Sequence, residues 1–200
     1  TLLSNHDSIC GDRAFTQLYG DDKKCKLAAS AYLMAPGIPF VYYGEEIGMK
    51  KYDESDPVLN SDHALRTPMQ WNGSDYAGFT NVKPYRAINS NYTIYNVETQ
   101  LSQPSSILHH YKKLIAIRNS RPAIMDGDYE LIMIDAACWA FIRKKNDEIV
   151  LVILNFSSSS KSLSLNFSHS SLSSGYYEAG SDLLDQGVNH PALSDANRHC

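Results

Sequence analysis

The run Ile38-Pro39-Phe40-Val41-Tyr42-Tyr43 is apolar or aromatic throughout and shows no alternation between faces. A strand with one wet face alternates with period two, so this run predicts a strand buried on both sides, as in a parallel sheet. A second apolar run, Thr1-Leu2-Leu3-Ser4, precedes it and reads as the tail of another strand. Between them Asp21 or Asp22 can cap a helix over residues 23–34, with Leu27, Ala28, Ala31, Tyr32 and Ala35 on one side and Pro36-Gly37 as the stop. Strand, helix, strand implies a right-handed crossover in a parallel α/β sheet. A strand that opens at residue 1 with nothing to pair against suggests a fragment of a longer chain.

From Gly44 to about Pro104 the text is polar and aromatic and is broken by Pro57, Pro68, Gly73, Gly78 and Pro84. Loops of that length inside compact domains are usually functional. Ser105 is then expected to cap an amphipathic helix with Ile107, Leu108, Tyr111, Leu114 and Ile115 on one stripe, Lys112 and Lys113 facing water, and Arg121-Pro122 at its end. Beyond Pro122 the period changes to two. Strands are expected over residues 128–134, 138–144 and 148–156, and again over 161–167, where serine or asparagine alternates with leucine and phenylalanine. The chain therefore divides into an α/β part, residues 1–121, and an all-β part, residues 122–200. The stretch from Gly187 through Pro191 to Cys200 has no periodicity, so the second part is expected to be incomplete.

With 43% hydrophobic and 20% charged residues the chain has globular composition. A net charge of -4 and the lack of any basic run exclude a phosphate-backbone binder, so no nucleic-acid partner is expected. No apolar stretch approaches the ~20 residues of a membrane-spanning helix. Cys10, Cys25, Cys138 and Cys200 show no metal-ligand spacing, and no metal site is assigned. Sequons at Asn72, Asn91, Asn155 and Asn166 leave the compartment open, with a secreted or cell-surface setting favoured.

Asn5-His6-Asp7 follows the first strand, where a buried element meets solvent. A histidine and a carboxylate there can hydrogen-bond vicinal sugar hydroxyls, and the carboxylate favours positive charge developing on an adjacent carbon. Alone, the tripeptide serves equally well as a turn cap. Trp71, Tyr43 and Tyr76 offer flat faces for a pyranose ring, or packing groups. Glu45 and Glu46 are sequence neighbours whose side chains project apart on an extended chain, so neither is expected to act as a catalytic acid.

The order of Asn5-His6-Asp7, the segment Pro36-Gly37-Ile38-Pro39-Phe40-Val41-Tyr42-Tyr43-Gly44-Glu45-Glu46-Ile47-Gly48-Met49, and Arg66-Thr67-Pro68-Met69-Gln70-Trp71 resembles the α-amylase family of glycoside hydrolases, roughly over residues 1–167. The resemblance implies the last two strand–helix units of a (β/α)8 TIM barrel followed by an antiparallel β-sandwich. It implies that Asp7 is the third active-site carboxylate, which stabilises the transition state, that His6 binds sugar hydroxyls, and that Arg66 reaches the non-reducing-end sugar. The Glu45-Glu46 segment is mainly structural in the family. The Asp7-to-Arg13 link is longer than usual, and Arg13 is given no role.

The implied activity is retaining cleavage of α-glucosidic bonds in starch-derived or malto-oligosaccharides, of the α-amylase or α-glucosidase type. The nucleophile and acid/base belong to other strands of such a barrel, so these 200 residues are expected to aggregate or be inactive alone. No cofactor is evident, and calcium would be bound elsewhere in the parent protein. The alternative is a non-catalytic, amylase-like glycoprotein subunit of an amino-acid transporter.

Overall fold

A computed structural model describes residues 1–52, 61–168, 170–172 and 183–184. The aperiodic text from Gly187 to Cys200 lies outside them. The chain divides into two compact units, Thr1–Ile115 and Ala116–Cys200.

In the first unit, the short helix α1 (Ala14–Gln17) leads into α2 (Asp22–Met34). Asp21 caps α2, its carboxylate accepting from the N–H groups of Lys23 and Lys24 and so satisfying two of the helix's unpaired donors. The buried stripe is Cys25, Ala29, Tyr32 and Leu33, whereas Leu27, Ala28 and Ala31 of the expected stripe are only half-buried. Tyr32 belongs to both stripes, and its hydroxyl donates to the buried Glu45, which fixes how the helix is rotated.

The two expected strands lie side by side without forming a full ladder. Thr1 donates to the Ile38 carbonyl at 2.8 Å, and Phe40 donates back to the Thr1 carbonyl at 2.8 Å. One residue bonded to positions two apart is the parallel pattern, so the direction required by the crossover is present. Burial on both faces is not: Ile38 is 74% and Phe40 64% exposed, because nothing among the described residues packs on them.

After the apolar run the chain turns at Gly44 (φ 82), where an added Cβ would stand 2.1 Å from Met49 Sδ, so a side chain there is excluded on two counts. Among its described residues the long segment that follows contains α3 (Ser61–Leu65), α4 (Val97–Leu101) and two short 3-10 helices, Glu45–Ile47 and Asp75–Gly78. Buried and half-buried amides replace the missing ladders. Asn89 donates to Thr67 Oγ1 (2.8 Å), Asn91 to the Gly48 carbonyl (3.0 Å), and Gln100 to the Ile47 carbonyl (2.6 Å). Their cost of burial is offset by these bonds to backbone and hydroxyl groups that would otherwise be orphaned. Helix α5 (Ile107–Ser120) is capped one residue later than expected, by Ser106, whose Oγ accepts from His109 N–H at 3.2 Å. Ile107, Tyr111 and Leu114 are buried, Lys112 and Lys113 are exposed, and Ile115 is turned further outward than its stripe predicted.

In the second unit, α6 (Pro122–Asp126) has Pro122 in its first turn, where no N–H is needed. A three-stranded antiparallel sheet follows, ordered β1 (Asp128–Ile134), β2 (Cys138–Lys145), β3 (Glu148–Asn155), with a bulge between Leu131 and Met133. These bounds match the period-two expectations to within a residue. Central β2 carries the core, with Ala140, Phe141 and Ile142 fully buried. Residues 161–167 alternate in burial as expected but join no ladder among the described residues, which hold one three-stranded sheet and no second sheet against it. Asn155 and Ser157 bond back onto Ser159 and bend the chain away immediately after β3.

Candidate active site

The three residues singled out by sequence meet at one point. Arg66, just past the end of α3, places Nη2 2.8 Å from Asp7 Oδ1 and donates from Nε to the His6 carbonyl at 2.9 Å. His6 Nε2 stands 3.3 Å from the same Asp7 oxygen. Asp7 Oδ2 has no donor among the described residues, so one carboxylate oxygen is held while the other is open to a ligand. Asp7 is itself set by Asn5, whose Oδ1 accepts the Asp7 N–H at 2.8 Å. That bond across two residues is the Asx turn expected of the tripeptide, and here it serves to aim the carboxylate.

Asp62 completes the cluster, and no sequence signal pointed to it. Its Oδ1 accepts from the Ser8 N–H at 2.8 Å and its Oδ2 from Arg66 Nη2 at 3.0 Å. The Ser8 N–H holds the Asp62 carboxyl below the usual carboxylate range, with Arg66 adding to the effect. Asp62 therefore ties the loop after Asp7 to the loop that presents Arg66. Its spacing from Arg66, one helical turn, is the only hint that the sequence carried.

Arg13, left without a role by sequence, is buried beneath these loops at 1% exposure. Its Nε donates to the Leu65 carbonyl (3.0 Å) and Nη1 to the Tyr43 carbonyl (2.7 Å), while the guanidinium lies 4.6 and 4.8 Å from the ring centres of Tyr42 and Tyr43. Burial pulls its pKa down and the two tyrosines oppose that shift, but a guanidinium stays charged, and its charge is met by aromatic faces and carbonyls. Tyr42 and Tyr43 donate in turn to the carbonyls of Leu65 (3.0 Å) and Thr67 (2.6 Å), which fixes the backbone on both sides of Arg66.

Glu45 is the second buried charge. It accepts from Ser4 Oγ (2.8 Å), Tyr32 (3.0 Å) and Tyr111 (2.7 Å), joining the first strand segment, α2 and α5. Burial pushes its carboxyl upward, and the three hydroxyls work against that shift. Each is a hydrogen bond to an ionisable oxygen in a site without solvent, which suits a structural anchor more than a group that exchanges protons. Tyr43 lines a cavity of about 410 Å³ together with Arg66, whereas Trp71 and Tyr76 are not among its walls. Among the described residues there is no group of three potential ligands for a metal ion, and no helix is long and apolar enough to cross a membrane.

Residues 1–127 match the family model described as the α-amylase catalytic domain. The chain is 34% identical over 192 residues to the oligo-1,6-glucosidase of Parageobacillus thermoglucosidasius, covering 78% of this chain and 33% of that protein. It is 32% identical over 197 residues to the glucan 1,6-alpha-glucosidase of Streptococcus pneumoniae, covering 81% and 36%. The structure of isomaltulose synthase from Protaminobacter rubrum superposes with a TM-score of 0.69 at 31% identity, over 78% of this chain and 34% of that one. The chain thus spans about a third of the length of the curated relatives it matches.

Proposed function

The chain belongs to the α-amylase family of glycoside hydrolases, and from that premise we propose that it supplies the transition-state carboxylate and two sugar ligands of a retaining α-glucosidase acting on malto- or isomalto-oligosaccharides. The observation that carries the reading is the convergence of Arg66 and His6 on one oxygen of Asp7, which leaves the other oxygen open. A carboxylate so held is aimed, and can take up a pair of sugar hydroxyls as the ring flattens toward an oxocarbenium ion. His6 presents a donor beside it, and the Arg66 fork fixes the carboxylate's angle as well as neutralising part of its charge.

Retaining cleavage needs a nucleophile and an acid/base on either side of the scissile bond. In this proposal those two carboxylates come from parts of the parent protein outside these 200 residues, as the shorter span relative to the relatives leaves room for. Asp7 is then the third member of the set. The first unit is the end of the barrel, and the three-stranded sheet is one half of the antiparallel sandwich that follows it. A transporter subunit has no need of an aimed, half-open carboxylate, and the two curated relatives described above are named as glucosidases. Turnover of maltose and isomaltose by the parent protein, and its loss in Asp7→Asn with the fold retained, tests the reading. Unaltered turnover in that variant would refute it.

A further inference from the structure

Tyr19 stands where folding has least use for it. Helix α1 ends in a left-handed turn, with the Tyr19 N–H bonded to the Thr16 carbonyl (3.1 Å) and the Gly20 N–H to the Phe15 carbonyl (2.9 Å). Tyr19 takes φ 60 there, a conformation that suits Gly or Asn and strains a side chain as large as tyrosine. Nor is the ring buried: it is 89% exposed, with the Lys24 ammonium 5.6 Å from its centre. Neither backbone preference nor packing accounts for an aromatic group at this position, and strain of this kind collects at binding sites.

The ring borders a cavity of about 510 Å³ walled also by Asp12, Phe15, Thr16, Lys51 and Tyr52, none of which lines the cavity beside Arg66. Small-molecule sites span about 300–1,000 Å³ and combine apolar walls with a few fixed polar groups. Here Asp12 Oδ1 and Lys51 Nζ lie 3.1 Å apart, which sets an acceptor beside a donor. The Thr16 hydroxyl accepts from the Lys51 N–H at 2.7 Å and has its own proton to give.

This combination selects its ligand by charge. An anion meets Asp12, a cation meets Lys50 and Lys51, and a hydrocarbon strips water from the ion pair without replacing its hydrogen bonds. A neutral polyol ring meets every wall. Its C–H face packs on an aromatic side chain, and its adjacent hydroxyls, each both donor and acceptor, match the alternation of Asp12, Lys51 and Thr16.

We infer that this cavity is a docking site for an α-glucan chain, separate from the site at Asp7, in which Tyr19 carries a sugar ring and Asp12 and Lys51 hold its hydroxyls. The polyol chemistry comes from the cavity itself, and the choice of an α-glucan rests on the glycosidase reading. A chain held here stays at the protein surface between cuts, which raises the effective concentration of its bonds at the cutting site.

The test is run on the full parent protein in native gels containing amylopectin, where retardation gives a dissociation constant without turnover. Tyr19→Gly removes the ring at a φ that suits glycine, so its Tm should equal or exceed that of the wild type while its affinity for amylopectin falls about tenfold. Asp12→Ala should weaken binding as well, whereas Tyr19→Phe, which keeps the ring, should bind as the wild type does. In Tyr19→Gly kcat/KM for maltose should be unchanged, and Asp7→Asn should still be retarded. Wild-type migration unaffected by amylopectin, full affinity in Tyr19→Gly, or an equal loss of retardation in Asp7→Asn would overturn the inference, as would a tenfold fall in kcat/KM for maltose in Tyr19→Gly. Retardation of a wild type that cleaves neither maltose nor isomaltose would sink the glycosidase reading and leave the docking site standing.

Discussion

Arg66 Nη2 lies 2.8 Å from Asp7 Oδ1, and the two residues are 59 positions apart in sequence. With 36% and 43% of the side chains exposed, such a pair contributes under about 1 kcal/mol to folding. Its consequence is directional: it fixes one carboxylate oxygen and leaves the other without a donor among the described residues.

In the parent protein, Asp7→Asn should lower kcat by about a thousandfold or more with an unchanged circular dichroism spectrum, because an amide cannot stabilise developing positive charge as a carboxylate does. Steady-state kinetics on maltose and isomaltose measure this, and a loss below tenfold would remove Asp7 from the reaction.

Arg66→Lys keeps the charge but cannot bond the His6 carbonyl, Asp7 and Asp62 together. We expect KM for disaccharides to rise about tenfold with a smaller change in kcat, as loss of a bidentate, orienting contact implies. Kinetics indistinguishable from wild type would return Arg66 to a purely structural role.

Asp62 and Glu45 should respond to pH in opposite senses. The folded-state pKa of Asp62 is lowered, so its contribution to stability is present above the unfolded value near 3.8 and is lost as pH falls through the folded value. Asp62→Asn should therefore flatten the acid side of the stability profile. Urea titrations between pH 3 and pH 5 that superimpose for the two proteins would contradict this.

The Glu45 pKa is raised, so its contribution is greatest below the unfolded value of 4.5 and is lost as pH rises through the folded value. Glu45→Gln keeps an acceptor for the two tyrosines and should remove that decline. Glu45→Ala leaves the hydroxyls of Ser4, Tyr32 and Tyr111 buried without their acceptor and should cost about 3 kcal/mol or more in urea denaturation. A loss under 1 kcal/mol would show that the anchor is dispensable.

Among the described cysteines only Cys10 is exposed, while burial pushes the Cys25 thiol up to about 12 and Cys138 is 1% exposed. Brief iodoacetamide treatment near neutral pH followed by peptide mapping should find Cys10 modified and Cys25 and Cys138 intact. Modification of Cys25 at a comparable rate would mean that α2 opens in the native state.

Periodicity and motif order were legible in the sequence because both are local. The period-two text gave β1, β2 and β3 to within a residue, Asp21 or Asp22 marked the start of α2, and Asn5-His6-Asp7 with Arg66 named residues that the fold brings together. Tertiary structure decided the rest, because each remaining feature is a partnership between distant segments. Nothing near Glu45 announces that Ser4 and Tyr111 will meet it, nothing near Arg13 places it under Tyr42 and Tyr43, and Asp62 becomes a site residue only when the Ser8 N–H arrives. The rotation of α2 and the single parallel pairing at Thr1 likewise depend on what packs opposite. A hydrogen-bond donor's type is written in the chain, but its acceptor is chosen by the crossing of elements 41 to 66 positions apart.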